Sequence, residues 1–181
     1  MTDVELISRI TRRDRAAFDA FYDRYAQIIF GLCLRILRDR AEAEDALQDI
    51  FVQIWKEAER FDPARASAKT WIFTIARSRS LDRYRSRKSV QQRVEAETTD
   101  FAAVPGAGDL QQSSLMQQYV GRALEQLSKD QRYVLELSYY EGLTQEEIAE
   151  RLGEPLGTIK SRIRSSLIKL RSLFAGERSD G

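Results

Sequence analysis

Apolar residues recur along this chain at spacings of three and four, not in the strict alternation of half-buried strands. Phe18, Phe21, Tyr22, Tyr25, Ile29, Leu32 and Ile36 keep that rhythm within a helical stretch from Val4 to Arg38. Asp39, with Glu42 three residues on, is placed to cap a second helix. Its inner side would be Leu47, Ile50, Phe51, Ile54, Trp55 and Ala58. Asp62-Pro63 enforces a break after Arg60, because proline drives the residue before it out of the helical region. Ser67 can cap a further helix through TWIFTIARSRSLDRYRSRK, apolar at Trp71, Ile72, Ile75 and Ala76 before arginine takes over. Between Ser89 and Ser114 the rhythm fails, and TTDFAAVPGAGDLQQSS is rich in small and polar residues. It resumes at Leu115 through Leu124, Leu127, Val134, Leu135 and Leu137, with Ser128 as a cap between two helices. The pattern predicts an all-α chain of two small helical domains joined by a flexible linker.

The stretch from Leu143 to Leu173, LTQEEIAERLGEPLGTIKSRIRSSLIKLRSL, reads as two helices around a tight turn. Thr144 and Glu147 have the spacing of a capping box. Ile148, Ala149 and Leu152 give the first helix its buried side, and Gly153 stops it. Pro155 suits the first turn of the next helix, where a missing N–H costs nothing. Leu156, Ile159, Ile163, Leu167 and Leu170 form one stripe of that helix, and Lys160, Ser161, Arg164 and Ser165 fall opposite. A cationic, hydrogen-bonding helix after a sharp turn fits the major groove of B-DNA. The plainer reading is a solvated face of a helical hairpin. From Lys160 to Arg171, however, every charge is positive, and solvated faces tend to mix signs.

Charged residues make up 31% of the chain and hydrophobic ones 43%, which suits a soluble globular protein. No apolar run approaches the ~20 residues of a membrane span, and the start, MTDVELISRI, has no apolar core of a signal peptide. No membrane insertion is expected. The single cysteine, Cys33, fits a reducing cytoplasm and is expected in the core rather than in redox chemistry. Without histidine and with one cysteine, a zinc site of the usual kind and histidine-based catalysis are excluded. No phosphate-cradling glycine loop appears, so neither a cofactor nor an enzymatic activity is expected. The net charge of +1 hides segregation: Arg77 to Arg93 holds seven basic residues against Asp82 alone. Val94 to Gly121 holds no basic residue, while Glu95, Glu97, Asp100 and Asp109 are acidic. Two basic islands flanking an acidic bridge are organised for a polyanion at two places. Roughly 25 linker residues could extend to about 80 Å, enough for two contacts one or two duplex turns apart, about 34 to 70 Å.

From about Ala17 to Leu173 the chain resembles an extracytoplasmic-function sigma factor, the small two-domain branch of the bacterial sigma family. AEDALQDIFVQIWKEAERFDP resembles the family's polymerase-binding helix, TWIFTIARSRSLDRYRSRK the segment that melts and reads the −10 element, and LSKDQRYVLELSYYEGLTQEEIAERLGEPLGTIKSRIRSSLIKLR the −35-reading domain. The resemblance implies a core-binding and −10 domain over residues 1–90, an acidic linker over 91–114, a helix-turn-helix domain over 115–176 and a tail over 177–181. It places Asp45, Gln48 and Asp49 against the clamp helices of the largest polymerase subunit. Phe61 and the loop to Ala68 match its specificity loop, and Ser78, where the family often has Asn, and Asp82 match promoter-facing positions. Arg77, Arg79, Arg83, Arg85, Arg87 and Lys88 would hold phosphates. Trp71 is open between core packing and stacking on bases. Lys160, Ser161, Arg164 and Ser165 match base-facing positions, Arg162 a flanking phosphate contact, and Glu154 stands where a Ser or Asn cap is common. The implied partners are core RNA polymerase, promoter DNA and an anti-sigma factor, with the acidic linker in the RNA exit channel. Two rivals are a plain helix-turn-helix regulator with a sensing or dimerising N-terminal half, and an adaptor that binds only proteins.

Overall fold

The computed structural model describes residues 1–95 and 124–176, with side chains for 1–89 and 124–172. The expected acidic linker, the helical rhythm at Leu115 and the tail over 177–181 lie outside the described residues. Seven α-helices and no strand occur among those that are described. The chain divides into an N-terminal and a C-terminal unit, in agreement with the all-α, two-domain expectation.

In the N-terminal unit the expected stretch from Val4 to Arg38 is two helices, α1 (Asp3–Thr11) and α2 (Arg15–Leu37). Thr2 and Glu5 form a capping box on α1. The chain turns at Arg13, which has φ 64°. Asp14 then caps α2 by accepting the Ala17 N–H, while its other oxygen takes the Arg9 guanidinium at 2.7 Å. The apolar rhythm runs through this turn unbroken, which is why periodicity alone joins the two helices. Arg38, left-handed at φ 55°, ends α2, and Asp39 caps α3 (Arg40–Glu57) through the Glu42 N–H. A single 3₁₀ turn, Ala58–Arg60, leads into the loop before α4 (Ala68–Glu95). Ser67 caps α4 as expected, with its hydroxyl 3.1 Å from the Thr70 N–H. Helix α4 passes position 90, the expected domain boundary, and continues to Glu95.

Helix α2 is the spine of this unit, packing on α1, α3 and α4. Leu6, Ile7, Ile10, Phe21, Ile29, Ile50, Ile54 and Ile72 are fully buried or nearly so, and each such side chain contributes about 1.5–3 kcal/mol of transfer free energy. Leu47 and Trp55, expected inside, are half-buried at the rim. Cys33 is fully buried, 3.3 Å from the Ser80 hydroxyl, and burial pushes its thiol pKa up. Helix α1 is also tied down by charge: Asp3 accepts Tyr25 Oη at 2.6 Å and Arg24 at 2.5 Å.

The C-terminal unit has α5 (Lys129–Tyr139), α6 (Gln145–Leu152) and α7 (Leu156–Gly176). Ser128 with Gln131, and Thr144 with Glu147, complete capping boxes on α5 and α6. Gly153 ends α6 at φ 64°, a conformation that strains any residue with a Cβ. Pro155 stands one residue before α7, and its carbonyl accepts the Thr158 and Ile159 N–H groups. Among the described residues the core cluster is Val134, Leu137, Ile148, Ile159 and Ile163, on the first two turns of α7. Leu167, expected on the buried stripe, lies beyond that cluster and is 54% exposed. Ser166, on the same stripe as Ile159 and Ile163, is buried with its hydroxyl on the Arg162 carbonyl.

Burial raises the Asp3 pKa, but the hydrogen bonds from Tyr25 and Arg24 outweigh it and the net shift is downward. A depressed carboxylate stabilises the fold above its unfolded pKa and loses that contribution as pH falls through the folded value. Asp3→Asn should therefore lower stability by about 1–2 kcal/mol at neutral pH. The penalty should shrink as pH falls below the ordinary aspartate value of about 3.9 and through the lower folded one. Thermal unfolding of both proteins across pH checks the sign, and an equal penalty at neutral and acidic pH would contradict it.

Candidate nucleic-acid and polymerase interfaces

The inner stripe of α4 runs Ile72, Ala76 and Ser80, all buried. Continued at the same spacing, it reaches Arg83 and Arg87. At 100° per residue these arginines point toward the body of the domain, and α3 meets them with acids. The Arg83 guanidinium bonds Glu42, lies 3.0 Å from Asp45 Oδ2 and 3.3 Å from Asp49 Oδ2, and is 29% exposed. Arg87 lies 3.6 Å from Asp39 and 4.0 Å from Glu42. Arg79 donates to Gln53 at 2.5 Å. A polar zipper thus joins one edge of α3 to one edge of α4. The Glu42 hydrogen bond, with Asp45 and Asp49 beside it, raises the Arg83 pKa still higher, so its charge is permanent.

Arg79, Arg83 and Arg87, expected to hold phosphates, are each engaged by α3 in this structure, Arg83 half-buried and the other two still exposed. The face of α4 opposite the buried stripe carries Ser78, Asp82 and Arg85, all exposed, with exposed Lys88 beside them and half-buried Arg77 nearby. On α3 the expected Asp45, Gln48 and Asp49 are exposed together, the two acids with side chains 64% and 68% accessible. Val52, half exposed, lies seven residues after Asp45 and extends the same face with an apolar side chain.

Phe61 follows the 3₁₀ turn and is half-buried, its ring centroid 5.4 Å from that of Trp71 at 51°. Trp71 is thus neither sealed in the core nor free on the surface. Asp62 turns the loop by accepting the Ala64 N–H at 2.9 Å. Between this loop and α1 lies an open groove of about 450 Å³, lined among others by Ile7, Ser8, Thr11, Phe61 and Pro63. The contribution of α1 had no motif in the sequence to signal it.

In the C-terminal unit, Lys160, Ser161, Arg164 and Ser165 are exposed along α7. Lys160 and Arg164 have no side-chain partner among the described residues. The Ser161 hydroxyl donates to the Thr158 carbonyl at 3.0 Å. Ser165 is tied down more firmly, bonding the Arg162 carbonyl and accepting Gln131 Nε2 at 3.1 Å. Arg162 departs from expectation. It is 20% exposed and forms a bidentate pair with Glu154 at 2.9 and 3.0 Å. The Glu154 hydrogen bond raises its pKa. Glu154 is therefore not a failed cap; it clamps the turn to the second turn of α7. Lys160, Ile163, Arg164, Leu167, Ile168 and Arg171 line an open groove of about 410 Å³ with Gln145. Neither unit shows, among the described residues, a group of side chains suited to a metal ion, and no helix among them is long and apolar enough to cross a membrane.

Two family models match: Sigma-70 region 2 over residues 21–90 and Sigma-70, region 4 over residues 117–170. The ECF RNA polymerase sigma factor SigK of Mycolicibacterium vanbaalenii is 36% identical over 169 residues, 92% of this chain and 86% of that one. SigK of Mycobacterium tuberculosis is 38% identical over 175 residues, 92% and 90% of the two chains. The solved Rhodobacter sphaeroides SigE, in complex with the anti-sigma ChrR, is 35% identical, with 94% and 96% of the chains covered and a TM-score of 0.49.

The geometry separates Lys160 and Arg164 from Arg162. Lys160→Ala and Arg164→Ala should each lower the salt dependence of duplex DNA binding by about one unit of log-log slope. Arg162→Ala should leave that slope unchanged and instead lower the thermal midpoint slightly. Salt titrations by fluorescence anisotropy at low ionic strength distinguish these; a slope loss for Arg162→Ala would contradict the assignment.

Proposed function

This chain belongs to the extracytoplasmic-function sigma factors of bacterial RNA polymerase, and on that premise we propose how its surfaces divide the work. The family function is transcription initiation: the factor joins core polymerase and directs it to promoter DNA. Asp45, Gln48 and Asp49 on α3 meet the clamp helices of the largest polymerase subunit, where carboxylates pair with cationic side chains. The outer face of α4, with Ser78, Asp82, Arg85 and Lys88, faces the −10 strand. Phe61 and Trp71 offer ring surface where an unstacked base could lodge, and aromatic stacking suits any base. Lys160, Ser161 and Arg164 enter the −35 major groove, the two cations reaching base edges or phosphates.

None of these surfaces needs a catalytic group. Strand opening is driven by binding melted bases more tightly than paired ones, which is a difference in affinity and not a chemical step. The working compartment is the cytoplasm, where polymerase and promoter are. Control by an anti-sigma factor is part of the same reading, supported by the 35% identity to the SigE whose structure includes ChrR. The single observation that carries the proposal is the pair Lys160 and Arg164. They are exposed and partnerless among the described residues on a helix that follows a capped helix and a glycine turn.

Run-off transcription with purified core polymerase over a promoter library tests it. Arg164→Ala should sharply reduce −35-dependent initiation while retaining core binding, a loss of about 1–3 kcal/mol in recognition. Asp49→Ala should do the reverse and weaken core association while the C-terminal unit still folds. Start-site choice unaffected by the added protein would end the proposal, and tight sequence-specific duplex binding without polymerase would favour a plain regulator.

A further inference from the structure

The acids on α3 serve two directions at once. Asp45 and Asp49 each give Oδ2 to Arg83, and neither Oδ1 has a partner among the described residues. Glu42, one turn earlier and 28% exposed, takes the third edge of the same guanidinium. The gradient of exposure follows the helix circumference. Glu42 is turned toward α4, Asp45 and Asp49 stand at the rim, and exposed Gln48 and Val52 continue outward. Without Arg83, three carboxylates within two turns would repel one another and leave their rotamers unfixed.

We propose that Arg83 is a positioning residue for polymerase binding: it holds the inner oxygens of Asp45 and Asp49 so that their outer oxygens face a cationic partner helix. It belongs to the polymerase interface although it lies on the DNA-facing helix. A guanidinium suits this role because its planar fork can address several carboxylates in a fixed geometry, whereas an ammonium is a point charge on a mobile stem. An acid pre-oriented in this way loses less side-chain entropy on binding. The inference rests on the reading that Asp45 and Asp49 meet the polymerase.

The test uses the full-length chain, purified bacterial core RNA polymerase, and equilibrium competition binding. Arg83→Met should weaken core association about three- to tenfold. Arg83→Lys, which keeps the charge, should recover only part of that loss. On an Asp45→Asn/Asp49→Asn background, Arg83→Met should add nothing further, the signature of coupled residues. The salt slope of holoenzyme binding to promoter DNA should be unchanged by Arg83→Met and lowered by about one for Lys88→Ala. Circular dichroism melting identifies any variant that fails to fold, and Arg83→Lys then carries the comparison. Core affinity that is unchanged or tighter in Arg83→Met would overturn the inference, the latter by making the arginine a competitor. A reduced salt slope would overturn it too, by making Arg83 a phosphate contact. If Asp45→Asn/Asp49→Asn binds core like the parent chain, the polymerase reading itself fails. If that pair weakens binding and Arg83→Met does not, only the positioning role fails.

Discussion

Helix α4 is one rod with two kinds of inner edge, and the arrangement of the N-terminal unit follows from the change between them. Through Ser80 the edge is held by burial against α2 and the rest of the core. Beyond it the same edge becomes arginine, which at the half-exposed rim is matched by charge pairing instead of burial. The acids of α3 supply the partners. The consequence is selective: cations on the inner edge are paired with α3, and those on the outer edge are left facing away from it, as the proposed DNA contacts require. A dense basic run is therefore two populations in different surroundings, separated by about half a helical turn.

The C-terminal unit solves the same problem at smaller scale. Among its described residues the core cluster has five buried members, and much of the geometry of α7 rests on polar devices at its start. Gly153 supplies the left-handed turn, the Pro155 carbonyl receives the first N–H groups, and the Glu154–Arg162 fork fixes the turn to α7. Gln131, one of the capping residues of α5, also reaches Ser165. Each holds the reading face without occupying Lys160 or Arg164, so rigidity and recognition fall to different side chains on adjacent positions.

Much of this was legible from residue order. The caps at Asp39, Ser67, Ser128 and Thr144, the stop at Gly153 and the exposed set on α7 all follow from local rules whose partners lie within four residues. The division into two helical units was likewise visible in the loss of apolar rhythm. What residue order did not reveal depends on partners distant along the chain. Arg83 and Glu42 are far apart in sequence, and nothing in a basic run marks which members meet an acidic helix. The stripe Ile72, Ala76, Ser80, Arg83, Arg87 was nevertheless there to be followed. The α1–α2 break was hidden because Arg13 adopts a left-handed turn with no glycine to mark it. Leu167 was misplaced because periodicity gives the direction of a side chain and not the extent of the core that would cover it.

The sole thiol of the chain has its own consequence. Cys33 is enclosed, receives the Ser80 hydroxyl, and is held away from its thiolate form by its apolar surroundings. Peroxide and disulfide exchange act on exposed thiolates, so Cys33 is shielded from both while the N-terminal unit stays folded. An oxidant can reach this thiol only after its surroundings have opened.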